Sequence, residues 1–591
     1  MVNVYKKLSR RIRANLYGKG QSEQWLLMGL ATFIGIVAGY GAIGFYLGID
    51  HLIHFVFGGS EKNLATIARE LPWWHIIGAL VLGGLIIGQL LRFLPEKRSS
   101  GVPHVIEAVA LKNGHIPFRQ GLLSAGITIT SLGFGASAGR EGPVVHLGAT
   151  LSSGLVRWLN LSPALMRTLL GCGVAAAVAA SFNAPIAGVF FALEVIIGHY
   201  ALHVFTPIVI SAIIGTIISR IHLGDFPAFS LPDYTISSFA EIPAFFILGI
   251  VCSVIAICFM MAMDKADKLR QRQDTIIPYW IQPAIGGLLV GSIALLYPEV
   301  LSVGYEATSN ALMGSYDLKF LVALLAAKII ATVITLATRF GGGIFSPSLF
   351  IGAMTGGAFG LIAASLSPVA ASDPGVYAIV GMGAVASSVL GAPISTMLIV
   401  FEITGDYSVT IAVMIASSVA SMFTGMFYNK SFFFMQLANK GVHLESGRAS
   451  YVLKSQKVKD HYSRDFFTIR HTDSLENARD LLIAQEGGKL IVTGQDGLLK
   501  GLVSFNQIPL SSSEIEEAKD KTIGDVCDDD PVVVYGDDPL ELALQLMEGS
   551  QENILPVLET IETPVLIGII HQSDVIQEYN KALLESQGQD R

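Results

Sequence analysis

The sequence predicts a polytopic all-α membrane body, built from two repeats of broken helices, followed by a soluble α/β tail. Three observations predict it: long apolar runs, a charge balance that changes sign near residue 445, and short Gly-Pro motifs that recur at a fixed distance. The chain has 591 residues, of which 52% are hydrophobic and only 15% charged, with a mean hydropathy of +0.56. Soluble domains carry roughly 25% charged residues, so the composition excludes a soluble enzyme. After residue 445 the chain holds 13 basic and 26 acidic residues, net −13, whereas the first 445 residues hold 26 and 21, net +5. A charge-poor, weakly basic body therefore precedes an acidic tail of soluble character.

Continuous apolar runs cover Trp25–Gly59, Trp73–Phe93, Gly173–Gly198, Ile242–Met263, Phe320–Ala337, Tyr377–Phe401 and Ile411–Phe427. Runs of about 18 or more apolar residues read as membrane-spanning helices. The basic flank Lys6–Arg13 predicts a cytoplasmic N-terminus. The Trp25 run exceeds the 7–15 apolar residues of a signal peptide, which predicts that it is retained. The four cysteines, Cys172, Cys252, Cys258 and Cys527, show neither metal-ligand spacing nor a disulfide framework.

The body repeats itself. Gly139-Arg140-Glu141-Gly142-Pro143 is echoed 204 residues later by Gly343-Ile344-Phe345-Ser346-Pro347, and a Gly-Ala pair follows each at the same distance. Asn183-Ala184-Pro185-Ile186 is echoed 208 residues later by Gly391-Ala392-Pro393-Ile394, with a glutamate nine residues after each proline, Glu194 and Glu402. The repeats run over about residues 20–220 and 240–430. Duplicated membrane proteins place their binding site at mid-membrane between the repeats, where Gly/Pro interruptions break the helices. Here those interruptions are residues 139–143, 343–347 and Ser99-Ser100-Gly101-Val102-Pro103. Each combines a flexible glycine with a proline suited to a helix's first turn. A helix that starts inside the bilayer presents unpaired N–H groups and a partial positive charge, and an anion satisfies both.

With these three motifs in that order and spacing, the sequence resembles the ClC family of chloride channels and chloride/proton exchangers. The family's motifs read Gly-Ser-Gly-Ile-Pro, Gly-Arg/Lys-Glu-Gly-Pro and Gly-x-Phe-x-Pro. The resemblance implies antiparallel repeats of tilted, broken helices and a homodimer with one pore per subunit, and it carries roles onto matching residues. Ser100, beside Gly101, would offer its hydroxyl to a central chloride, joined by the amides of Ile344 and Phe345. The amides of Arg140, Glu141 and Gly142 would line an outer site. The Glu141 carboxylate, itself a tethered anion, would occupy that site and leave it on protonation. Acids inside a membrane are functional by default, which favours this role over a plain ion pair with Arg140.

Two departures bear on the type of transport. Exchangers of the family place a proton-relaying glutamate ten residues after the Asn-Ala-Pro proline, where this chain has Val195. The tyrosine whose hydroxyl completes the inner chloride site is matched by Phe433. Together they favour a chloride channel gated by Glu141. The alternative is a chloride/proton exchanger without the usual inner glutamate, and a cation-coupled solute carrier is a distant third. Glu194 is expected to be structural because Glu402 repeats it. His104 would be packed or solvated rather than a cytoplasmic pH sensor, and the charged stretch Asp264–Arg272 would be a cytoplasmic helix end without chemistry.

The tail repeats too. Asp473-Ser474-Leu475 recurs as Asp538-Pro539-Leu540, and Gly501-Leu502-Val503-Ser504 as Gly568-Ile569-Ile570-His571. Each unit reads strand, helix, strand, strand: Phe466–Ile469, Leu475–Ala484, Lys489–Thr493 and Leu499–Ser504 in the first, with Val532–Val534 and Val565–Ile570 marking strands of the second. The units, 463–509 and 522–584, resemble a pair of CBS domains. Such pairs often bind adenine nucleotide through an acid that Asp574 keeps and Gln507 replaces. The net charge of −13 opposes polyphosphate binding, so a dimerisation and coupling module without ligand is the favoured reading and nucleotide binding the alternative. Partners are thus chloride, protons, lipid and a second copy. No cofactor is required, neither catalytic motifs nor basic nucleic-acid patches occur, and a bacterial inner membrane is the expected location.

Overall fold

The computed structural model describes residues 21–159, 161, 163–224, 241–274, 276–366, 372–428, 431–442, 453–454, 456–484, 489–494, 498–508, 521–560 and 565–587. The basic flank Lys6–Arg13 lies outside them. The chain divides into two compact units, Met1–Val442 and His443–Arg591.

Among the described residues, the first repeat contains α1 (Gln21–Phe57), α2 (Leu64–Glu70), α3 (Trp73–Leu90), α4 (Val102–Leu111), α5 (Phe118–Gly133), α6 (Glu141–Leu159), α7 (Pro163–Phe182), α8 (Pro185–Phe191) and α9 (Leu202–Leu223). The second contains α10 (Ile242–Gln273), α11 (Gln282–Ala294), α12 (Tyr305–Leu312), α13 (Leu318–Ala337), α14 (Phe345–Leu366), α15 (Pro374–Leu390), α16 (Pro393–Thr404), α17 (Tyr407–Tyr428) and the short α18 (Phe432–Ala438). Among the described residues, eight helices are long and apolar enough to cross a membrane. The 37 residues of α1 reach about 55 Å at 1.5 Å per residue, more than a hydrocarbon core of roughly 30 Å requires.

Two of the expected continuous runs are broken at repeat-equivalent places. The Gly173–Gly198 run divides into α7, α8 and a π-helical turn, Ala192–Ile197, and the Tyr377–Phe401 run into α15 and α16. The cause is local. Asn183 and Gly391 take left-handed backbone angles, φ 58° and 67°, and the proline two residues later starts a new helix as its first residue.

The repeats are packed alike. A Cβ on Gly148 of α6 would lie 2.4 Å from the Gly173 carbonyl of α7, and one on Gly352 of α14 would lie 2.3 Å from the Gly381 carbonyl of α15. Only glycine lets these backbones approach so closely, the usual route to tight packing between apolar helices in lipid. Four buried threonine hydroxyls are satisfied within their own helices: Thr128, Thr150, Thr335 and Thr355 each donate to the carbonyl four residues earlier.

Among the described residues, the tail contains two three-stranded sheets. β1 (Thr468–Arg470), α19 (Leu475–Ala484), β2 (Lys489–Thr493) and β3 (Leu499–Ser504) form one unit; β4 (Val534–Tyr535), α20 (Leu540–Ser550), β5 (Ile554–Leu558) and β6 (Leu566–His571) form the other, followed by α21 (Gln572–Gln587). In each, the first strand pairs parallel to the second and the second antiparallel to the third. The ladders even share an irregularity at one place, between Val492 and Thr493 and between Val557 and Leu558. Ile491, Leu502 and Ile569 join the two units in one apolar cluster. The Val532–Val534 run yields strand only at Val534 and Tyr535.

Candidate functional site

The N-termini of α6 and α14 meet at the centre of the body. Gly139 and Gly343 exchange both backbone hydrogen bonds, at 2.7 and 2.8 Å, as an isolated antiparallel bridge. The bridge fixes Gly142 against Gly343, where an added Cβ would meet the neighbouring backbone at 3.4 to 3.6 Å. Past it, each chain turns directly into its helix. Among the described residues, no acceptor meets the N–H groups of Arg140, Glu141, Gly142, Ile344 or Phe345.

Two other broken helices are treated differently. The Glu194 carboxylate accepts from the amides of Ile394 and Ser395 at 3.1 and 2.8 Å, and Glu402 accepts from Ile186 and Ala187 at 3.0 and 2.7 Å. Each repeat's glutamate thus caps the other repeat's helix, α16 or α8, which gives Glu194 the structural place expected of it. The N-termini of α8 and α16 are filled by carboxylates, while those of α6 and α14 keep their donors and their partial positive charge.

The residues that carry these donors, Arg140 excepted, line a cavity of about 300 Å³. Gly101, Val102 and Pro103 of the first motif line it, as do Glu141, Gly142, Gly343, Ile344, Phe345 and Phe433. Ser100 is anchored through its own amide, which donates to Ser124 Oγ. Phe433 is 4% exposed and packs at 6.3 Å from Phe432, so the wall at this position is aromatic and carries no hydroxyl. Phe345 is held between Phe182 and Phe191, with ring centroids at 5.1 and 6.0 Å. Val195 lies buried in the π-helical turn.

At its other end the cavity is lined by Arg98, Arg270, Arg339 and Lys440 against Glu96, Asp267 and Asp274. Asp267 joins Arg98 and Arg270 at 2.9 and 3.0 Å, and Asp274 joins Arg339 at 2.7 Å. The Glu96 carboxyl is held below the usual range, first by its hydrogen bond with His104 and then by Lys440 at 2.6 Å. Gly101 N–H donates to His104 Nδ1 (3.1 Å), and His104 Nε2 lies 2.9 Å from Lys440 Nζ and 3.4 Å from Glu96 Oε2. His104 is therefore built into the first motif's turn. The stretch Asp264–Arg272, expected to carry no chemistry, continues α10 and puts Asp267 and Arg270 at this mouth. Their adjacency to Arg98, which directly precedes the first glycine motif, and to Arg339, four residues before Gly343, arises only on folding.

Arg140 does not line the cavity. Its guanidinium lies between the rings of Tyr46 and Tyr305, 4.8 and 4.7 Å from their centroids, and pairs with Glu61 at 2.6 Å. Glu61, not Glu141, is its main partner: Glu141 Oε1 stands 3.8 Å from Arg140 Nε. The Tyr305 hydroxyl donates to Glu141 Oε1 at 3.0 Å.

The voltage-gated chloride channel family profile matches residues 83–425. The chain belongs to this ClC family of chloride transport proteins. A CBS domain profile matches residues 523–581, and the first unit of the tail repeats its topology. The chain is 32% identical to a ClcB-like protein of Ralstonia nicotianae, over 66% of this chain and 91% of that one. It is 30% identical to the H+/Cl− exchange transporter ClcA of Vibrio parahaemolyticus, over 64% of this chain and 82% of that one. The fold resembles that of a eukaryotic CLC transporter, with 20% identity and a TM-score of 0.61, over 93% of this ClC chain and 98% of the other.

Proposed function

We propose that this protein passes chloride across the membrane as a channel whose outer site is opened by protonation of Glu141. One observation carries the reading: the starts of α6 and α14, whose N–H groups meet no acceptor among the described residues, line one cavity together. Chloride completes those donors without a charged side chain, at a place where unpaired N–H groups would cost several kcal/mol each. In this reading Ser100 supplies a hydroxyl, Ile344 and Phe345 supply amides for the central ion, and Arg140, Glu141 and Gly142 supply amides for the outer one. The ionised Glu141 carboxylate competes for the same amides, and protonation ends that competition. Phe433 narrows the inner passage without adding a hydrogen bond, and Val195 offers no proton-relaying group.

The second reading, chloride/proton exchange, is favoured by likeness to the Vibrio exchange transporter. Simultaneous recording of chloride and proton movement from proteoliposomes separates the two. Uphill proton movement driven by a chloride gradient would replace the channel reading with the exchanger. In either case Glu141→Gln should abolish the pH dependence of chloride efflux, and an unchanged pH profile would remove Glu141 from its role. For the tail we favour a coupling and dimerisation module, in which case neither AMP nor ATP shifts its melting. A shift lost in Asp574→Ala would make it a nucleotide site instead.

A further inference from the structure

Glu141 does not sit on the amides it is thought to contest. Its Oε1 accepts from Tyr305 (3.0 Å), and its Oε2 is buried with no hydrogen-bond partner among the described residues. Tyr305 is the first residue of α12, and the turn before it is held rigidly. Lys328 Nζ donates to the carbonyls of Val300 and Ser302, and Ser302 N–H donates to the Gly135 carbonyl. Gly304 takes φ 86°, where a side chain would be strained. The next residue, Glu306, accepts from the amides of Ala65 and Thr66 at the start of α2. The hydroxyl is thus presented to Glu141 by fixed backbone.

From these contacts we propose that Tyr305 is a positioning residue for the gate, offering the ionised Glu141 carboxylate a docking position away from the chloride-binding amides. The charged groups facing this position are Arg140, which stands 3.8 Å from Glu141 on its own segment, and Glu61, paired with Arg140; Tyr46 covers the other face of the guanidinium. A phenol donor serves the charged carboxylate best, because hydrogen bonds to ionised groups are stronger than those to neutral ones. The docked state therefore gives the protein a conducting form in which Glu141 is still ionised. Without the hydroxyl, the ionised carboxylate returns to the amides and excludes chloride until it is protonated.

The inference rests on Glu141 being the gate. Tyr305→Phe removes one oxygen and keeps the ring against Arg140. In proteoliposomes, Tyr305→Phe should lower chloride efflux at pH 7.5 by about tenfold, the scale of one hydrogen bond to a charged group. The ratio of efflux at pH 4.5 to that at pH 7.5 should rise by the same factor. On a Glu141→Gln background the Tyr305→Phe substitution should have no pH-dependent effect. A Tyr305→Phe pH profile matching wild type overturns the docking role, as does an equal loss of efflux at every pH on both backgrounds. Retention of pH dependence in Glu141→Gln alone would instead overturn the gate itself, so the two failures are separate. Should Tyr305→Phe not fold, a wild-type map at pH 7.5 without chloride decides: Glu141 on Tyr305 supports docking, and Glu141 on the amides of residues 140–142 refutes it.

Discussion

Gly139 and Gly343, 204 positions apart and equivalent in the two repeats, hydrogen-bond to one another in both directions. This pairing holds the start of α6 against the start of α14 and so sets the distance between the two groups of donors. A Cβ on Gly139 would lie 3.0 Å from Pro347 Cδ and from Ser346 N, and 3.1 Å from Glu141 Oε2. Gly139→Val therefore overpacks the bridge and should destabilise the protein by about 1–3 kcal/mol. Thermal unfolding followed by size exclusion should show the lower melting point, and chloride efflux should fall with it.

The crossed caps make a second prediction. Glu402→Ala leaves the amides of Ile186 and Ala187 without their acceptor, and Glu194→Ala does the same to Ile394 and Ser395. Each should cost about 0.5–2 kcal/mol, the usual range for losing a helix cap. Chloride-over-cation selectivity, measured by reversal potential, should stay unchanged, because neither cap faces the cavity.

Lys440, 32% exposed by its side chain and paired with Glu96, lines the charged mouth. Its charge should raise the local chloride concentration. A unit charge acting over about 10 Å in water is worth roughly 0.4 kcal/mol. Lys440→Gln should thus lower chloride flux about twofold in 10 mM salt, while at 1 M salt, where the screening length is about 3 Å, the difference should vanish. A loss that persists at 1 M salt would point to a packing role.

In the tail, hydrogen bonds from Lys457 and Lys459, at 2.7 and 2.8 Å, hold the Asp537 carboxyl down at about 2. An unpaired aspartate titrates near 3.9. The folded value is the lower one, so the contribution is fully present above about pH 4 and is lost as pH falls through about 2. Asp537→Asn should narrow the stability difference between pH 5 and pH 2.5, seen by circular dichroism of residues 443–591. Since the three groups are largely exposed, the change should be small and should shrink in high salt.

Much of this ClC protein was legible in its sequence. Hydropathy and charge separated membrane body from tail, because both depend only on composition within a window. The three glycine motifs marked where helices start inside the body, because glycine and proline act on their own backbone, whereas the breaks after Asn183 and Gly391 fell inside runs that read as continuous. The tail's strand and helix order followed from its apolar pattern, although Val532–Val534 gave a shorter strand than its β-branched residues suggested. The charge-bearing mouth and the outer network had no such signal: Tyr305 meets Glu141 across 164 positions, and Arg140 meets Glu61 across 79.

Sequence alone thus determined which segments would carry helix N-termini into the membrane, since that is a local property of glycine and proline. Tertiary structure alone decided that the N-termini of α8 and α16 are filled while those of α6 and α14 stay available. The carboxylates of Glu194 and Glu402 take two of them, and no described side chain takes those at Glu141 and Phe345. An amide's partner depends on what the opposite repeat brings within about 3 Å, and only the packing of the two halves sets that distance.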